Sequence, residues 1–235
     1  MTDYALYVES GPKRRKTQVH VLDLLGCIAQ GATTEEALEN TPDAIRAYLR
    51  FLKKHGDKVD PEAEFTTSIA VHVMEGQWLG QGDPYPGFAS DFETLSVEDL
   101  RTYRQRLSWM ADDIVELVSG LSEEQLTHKP EKGRPIRKIA EHFTVADYAY
   151  LQGPLSKPKG MAALVRAVEE SPASGLPAAL VQFWELFDSR LEAITDEERE
   201  QHTPHGQKIW TARRALRRML EHRWEHFSEI SRRFE

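Results

Sequence analysis

Two histidines four residues apart, His222 and His226, stand in the run WTARRALRRMLEHRWEHFSEI, and at that spacing both rings can converge on one ion from a single helix. A third, His142 in IRKIAEHFTVADYAYL, occupies a position where the local apolar stripe otherwise places Ile or Ala. Burying a lone imidazole costs free energy unless its ring nitrogens find partners, and a metal ion supplies one. Three neutral imidazoles leave coordination positions open, the arrangement of a catalytic ion rather than a closed structural one. Such an ion lowers the pKa of bound water from about 15.7 to about 7, or holds a small thiol as thiolate, and so makes a nucleophile at neutral pH. Nitrogen ligands alone do not choose among zinc, nickel and iron. A His-x-x-x-His pair also arises on an ordinary solvated helix, and spacing alone leaves both readings open.

The other reactive residue types narrow the chemistry. Nine histidines against one cysteine make imidazole the expected ligand type, and the single Cys27 excludes an internal disulfide framework, a thiolate zinc cluster and a CxxC redox pair. Cys27 itself reads as a packed core thiol rather than a nucleophile. Glu221, Glu225 and Glu229 can orient imidazole N–H groups, although a solvated face pairing with Arg217, Arg218 and Arg223 is the simpler account for at least two of them. His202 and His205, in HTPHGQKIW, can reach the mouth of a bundle as acid/base groups but read more simply as exposed loop imidazoles. No general acid or base is singled out. His20, His55, His72 and His128 have no partner pattern and receive no role.

Charge excludes further classes. The formal net charge of −8 argues against a general nucleic-acid surface. Locally, the seven arginines from Arg213 to Arg233 outnumber the four glutamates of the C-terminal stretch, Glu235 included, which reads as a solvated face or a lure for an anionic substrate. The KRRK run at Lys13 to Lys16 marks a hairpin tip between two strands. No apolar run reaches the ~18 residues of a membrane span, and the start Met-Thr-Asp lacks the order of a signal peptide, so a cytoplasmic location is expected.

The elements that must carry these residues fall into two groups separated by Gly76 to Phe92 (GQWLGQGDPYPGFASDF), a Gly/Pro/Asp-rich linker or interdomain loop. Ahead of it, Tyr4 to Val8, Gln18 to Leu22, Cys27 to Gln30 and Phe65 to Val73 read as strands, the last with Phe65, Thr67, Ile69, Val71 and Val73 on one face and His72 on the other. Thr34 to Lys54 reads as a helix capped by Thr33 or Thr34, with a kink or a new start capped by Thr41 expected at Pro42. Beyond the linker the strand signal ends. Four helical stripes follow: Leu100 to Leu121, Ile136 to Leu151 (with Ile139, His142, Ala146 and Ala149 in line), Leu176 to Ile194, and Thr211 to the C-terminus. A Pro/Gly-rich crossover, Gly153 to Pro177, carries a short helical patch at Met161 to Glu170. The expected class is α+β: strands and a helix at 1–75, a linker at 76–92, and an antiparallel four-helix bundle at 93–235.

Two resemblances attach to these motifs. IRKIAEHFTVADYAYL and the closing WTARRALRRMLEHRWEHFSEI, with its basic lead-in and His-x-x-x-His, resemble the DinB/YfiT-like superfamily of four-helix-bundle metal proteins. That resemblance implies a divalent metal held by His142, His222 and His226, zinc first, with nickel or iron also accommodated. It further implies a hydrolase that activates water or a transferase that uses a low-molecular-weight thiol, acting on a small-molecule substrate. VLDLLGCIAQGATTEEALEN from Val21 is similar to the HicB-like antitoxin domain, with Leu25 in place of the usual proline and Ala32 in place of the usual acidic residue. It implies a binding or dimerisation module, with a protein partner or a homodimer expected. The alternative to an enzyme is therefore a non-enzymatic regulatory protein of HicB antitoxin type whose bundle metal is structural.

Overall fold

A computed structural model of the chain describes residues 1–11, 16–83, 85 and 87–234. Of the KRRK run, Lys13, Arg14 and Arg15 lie outside the described residues. The fold is α+β, a strand-rich N-terminal part followed by a helical C-terminal region.

The N-terminal part is a four-stranded sheet in the order β3-β2-β1-β4, made of β1 (Thr2–Ser10), β2 (Thr17–Val21), β3 (Ile28–Gly31) and β4 (Phe65–Val73). β1 and β3 run antiparallel to β2 between them, and β4 returns parallel to β1. The return is made by α1 (Thr34–Lys54), which lies against β2 and β3. Its start is chemical: Thr33 accepts from the Glu36 amide, Glu35 and Glu36 sit at the positive end, and Lys53 and Lys54 at the negative end. Pro42 does not start a new helix. The helix runs through it, and Thr41 is buried with its hydroxyl turned back to donate to the Ala37 carbonyl at 2.8 Å.

The apolar face expected on β4 differs too. Leu6 pairs with Ile69 but Tyr7 pairs with Val71, so Ala70 is an extra residue and the alternation slips there. As an edge strand β4 has one neighbour, and Ile69 and Val71 are exposed.

The helical region contains α2 (Val97–Ser119), α3 (Glu123–Thr127), α4 (Ile136–Tyr150), α5 (Met161–Glu170), α6 (Leu176–Glu192), α7 (Asp196–Glu200) and α8 (Ala212–Ser231). The four long helices coincide with the four stripes, and α5 with the helical patch of the crossover. α2 packs on α6 and α8, α4 on α8, and α5 bridges α4 and α6. Within α4 the buried face is carried by Ile139, Phe143 and Ala146, while Ala149 is exposed. The strand signal does not end at the linker: Thr203–His205 (β5) and Lys208–Trp210 (β6) form a short antiparallel hairpin ahead of α8, turned by Gly206 at φ 59°. Three-residue strands are too short for alternation to reveal.

The sheet and the helices share one core, in which Leu6, Val19 and Tyr48 pack in the same cluster as Leu107, Leu220 and Trp224. Among the described residues of 76–92, Leu79, Phe88 and Asp91 are buried. Polar links cross the same boundary. The carbonyl of Leu25 accepts from Tyr48 Oη and from Arg106 Nη1 of α2. Among the described residues no helix is long and apolar enough to cross a membrane.

Candidate metal centre

α4 and α8 lie side by side, and the three histidines meet between them. α8 begins at Thr211, whose side chain accepts from the Arg214 amide, and its periodicity then brings His222 and His226 to the face opposite His142. The ring centroids stand 4.9 Å apart for His142 and His222, 5.1 Å for His142 and His226, and 4.6 Å for His222 and His226. Nε2 of His142 is 3.1 Å from Nε2 of His222, and one ligand nitrogen from each ring lies within 4.8 Å of the others. Two nitrogens sharing a tetrahedral ion at 2.0–2.1 Å are separated by about 3.4 Å. The first pair is therefore near ligand spacing, and His226 joins it with all three ligand nitrogens within 4.8 Å of one another. All three residues are partly exposed, so the cluster opens to solvent on one side.

The electrostatics keep these rings neutral. Burial is the first cause that brings His142 down to about 4, with Arg134 and His226 adding to it. Burial also holds His222 well below the ordinary histidine value, followed by His226 and Arg218. His226 is lowered by burial against the opposing pull of Glu225 and Glu229. Neutral imidazole is the form whose lone pair can bind a cation. Glu229 fixes one ring: its Oε2 is 3.2 Å from His226 Nδ1 while its Oε1 accepts from Arg233 Nη2 at 2.8 Å. A carboxylate on Nδ1 leaves Nε2 as the ligand atom, the usual partnership of a metal-binding histidine with an acidic neighbour. The donor set thus fits a divalent ion with open positions, and the three histidines could hold one.

Two further side chains border the cluster that periodicity does not reveal. Arg134 Nη2 stands 3.2 Å from both ring nitrogens of His226. The Tyr150 ring lies 5.8 Å from that of His222, and its hydroxyl accepts from Arg218 Nη2 at 3.4 Å. Arg134 precedes Pro135, the residue at the entry of α4, and so belongs to a loop where no apolar rhythm marks a position.

The neighbouring glutamates and arginines depart from the solvated face expected of them. Arg214, Arg217, Arg218 and Arg223 are buried, as is Glu221. Glu221 turns away from the imidazoles toward the sheet, where it takes Arg217 at 2.8 Å, Arg218 at 2.7 Å and His20 Nδ1 at 2.8 Å. His20 is fully buried, with Glu9 at 3.1 Å on its Nε2. Burial opposes its charge, yet the two carboxylates outweigh that cost and raise its pKa. Arg217 also clamps Asp91 of the 76–92 segment through Nε at 2.6 Å and Nη2 at 2.8 Å. Arg223 pairs with Asp147 of α4 rather than with a glutamate of its own helix. Glu225 is half-buried with Lys16 at 3.7 Å.

The remaining candidates lie outside the cluster. His202 and His205 are exposed on and beside the β5-β6 hairpin, and His202 Nε2 meets the Phe92 carbonyl at 3.0 Å. Cys27 is buried, and burial pushes its thiol pKa up, away from thiolate. His55 pairs with Asp113 at 3.1 Å, and His72 with the Ser10 hydroxyl at 2.8 Å.

Comparison with known proteins separates the two parts of the chain. Residues 106–230 match the family model described as the DinB superfamily, a stretch that contains all three histidines. The N-terminal part is similar to UPF0150 protein Ta0767 of Thermoplasma acidophilum, a HicB-like relative 54% identical over 55 residues, which are 23% of this chain and 77% of that protein. No solved structure matches.

Proposed function

Because the chain belongs to the DinB superfamily, we propose that it is a metal-dependent enzyme whose ion is held by His142, His222 and His226. The observation that carries this reading is the meeting of three partly exposed imidazoles from two helices, with ligand nitrogens within 4.8 Å of one another. Zinc is the proposed ion, with nickel or iron accommodated by the same nitrogens. When bound, the ion supplies acidity to a water or a low-molecular-weight thiol at its open position, for hydrolysis or for transfer of the thiol to a small-molecule substrate. The chain's own residues supply the rest. Burial keeps the rings deprotonated, Glu229 sets the orientation of His226, and Tyr150 forms a wall against His222. Zinc-loaded protein offered ester substrates, and electrophiles with and without small thiols, is expected to turn over one of these classes, with activity abolished by a chelator and in His222→Ala. Turnover that survives both treatments would overturn the reading.

The N-terminal module has a binding role in this proposal, and a second copy of the chain is its occupant. What supports this is the nine-residue edge strand β4, one side of which carries no neighbouring strand among the described residues while Ile69 and Val71 stay exposed. Sedimentation equilibrium should find a dimer that Val71→Lys weakens at least tenfold. A wild-type monomer at all concentrations would contradict it.

A further inference from the structure

Arg134 is oddly placed for a cation. It is half-buried beside three imidazoles, and among the described residues no carboxylate forms an ion pair with it. The nearest acid on α8, Glu229, is shared between His226 and Arg233 instead. Its Nη2 is equidistant, at 3.2 Å, from the two nitrogens of the His226 ring. A neutral imidazole offers one in-plane lone pair, and a nitrogen equidistant from both ring nitrogens is in line with neither of them, so the guanidinium keeps donors free. The position is nonetheless held. Arg233 Nη1, at the end of α8, donates to the Arg134 carbonyl at 2.8 Å, and Pro135 restricts the backbone that follows. The positive charge also acts on the cluster, lowering the pKa of His142, His222 and His226 alike.

A guanidinium this close to a site for a divalent cation is repelled once the cation binds, unless negative charge enters between them. A planar fork of N–H donors matches a carboxylate in two-point contact. Glu225 and Glu229 act on the same imidazole, His226, and their charges oppose a dianion more than a monoanion. Resting on the metal-site reading above, we infer that Arg134 is the anchor for a carboxylate group of the substrate, which it holds over the three-histidine centre. Arg134 is thus a specificity residue: it selects small molecules bearing a carboxylate near the reacting bond and offsets the charge of the occupied site.

The test uses the full chain loaded with Co²⁺ as a spectroscopic probe, with acetate as the carboxylate and inorganic phosphate as the comparison anion. Acetate should change the visible Co²⁺ spectrum along a saturating curve, and more tightly than phosphate. Arg134→Ala should retain Co²⁺ but weaken acetate about tenfold or more, the loss of a charge-assisted contact, and Arg134→Lys should recover part of it. Equal acetate affinity in wild type and Arg134→Ala, no acetate response in the Co²⁺-loaded wild type, or tighter binding of phosphate would overturn the inference while leaving the metal site intact. Failure of the wild type to take up Co²⁺ would overturn the metal-site reading, and this inference with it.

Discussion

At the scale of single residues, the three clustered histidines are set apart by one another, with ring centroids 4.9, 5.1 and 4.6 Å apart. His20, His55 and His72 each have an acid or a hydroxyl on a ring nitrogen, whereas His142 and His222 present Nε2 atoms to each other at 3.1 Å. Between two neutral rings this contact is either the N–H of one ring donated to the lone pair of the other or, in the proposed metal site, two lone pairs turned to one cation. Glu229 acts through His226 and not on substrate. Replacing it by Gln is expected to reduce metal affinity about tenfold to a hundredfold, measured by competition with a chromophoric chelator, with little change in thermal stability before metal is added. Unaltered affinity would mean that the ring is oriented by its packing against Phe143. The histidines were legible because each interrupts an apolar stripe. Arg134 and Tyr150 were not, since a loop residue and a helix-end aromatic reach the site by tertiary placement alone.

At the scale of elements, α8 does two jobs on two faces. One face gives His222 and His226 to α4, and the other gives Arg217, Arg218 and Glu221 to the sheet and the 76–92 segment. An arginine-rich helix reads as solvated because charge is usually left in water. Here three of the buried guanidinia have a carboxylate on another element, which a one-dimensional pattern cannot display: Arg217 with Asp91, Arg223 with Asp147, Arg214 with Asp83, while Arg218 takes Glu221 of its own helix. Breaking such a pair strands a buried charge. His20→Gln, which removes the cation between Glu9 and Glu221, is expected to destabilise the protein by roughly 3 kcal/mol in denaturant titration. The sign with pH follows from the raised pKa of His20. Its stabilisation is fully present below the unfolded value of about 6.5 and is lost as pH rises through the folded value, so the gap between wild type and His20→Gln should narrow on going alkaline. A gap that widened with pH would contradict a charged His20. The turn after β2 is equally exacting: Gly26 has φ 99°, and a Cβ there would lie 2.5 Å from Tyr48 Oη and 2.7 Å from Leu220 Cγ. Gly26→Ala should cost at least about 2 kcal/mol by the same measurement.

At the scale of the whole molecule, the strand-rich part and the helical region are joined through a common core and a buried charge network, rather than strung on a tether. The class of each part was readable from the change in period, strand-like before Gly76 and helical after Phe92. Their union was not, because Leu79, Phe88 and Asp91 sit in a stretch whose Gly and Pro content resembles a free loop while their side chains are buried. Such a union predicts one cooperative thermal transition, seen alike by far-ultraviolet circular dichroism and by tryptophan fluorescence, and two separated transitions would contradict it. It also ties the metal-proposed face of α8 to the sheet, since Glu221 and His222 are consecutive residues that look opposite ways.

The central claim is that His142, His222 and His226 hold one divalent ion. Equilibrium dialysis of the purified chain against Zn²⁺, followed by elemental analysis, tests it most directly: the wild type should retain one ion per chain and the His222→Ala, His226→Ala double variant none. A wild type that stays metal-free, or a double variant that retains as much zinc, would contradict it.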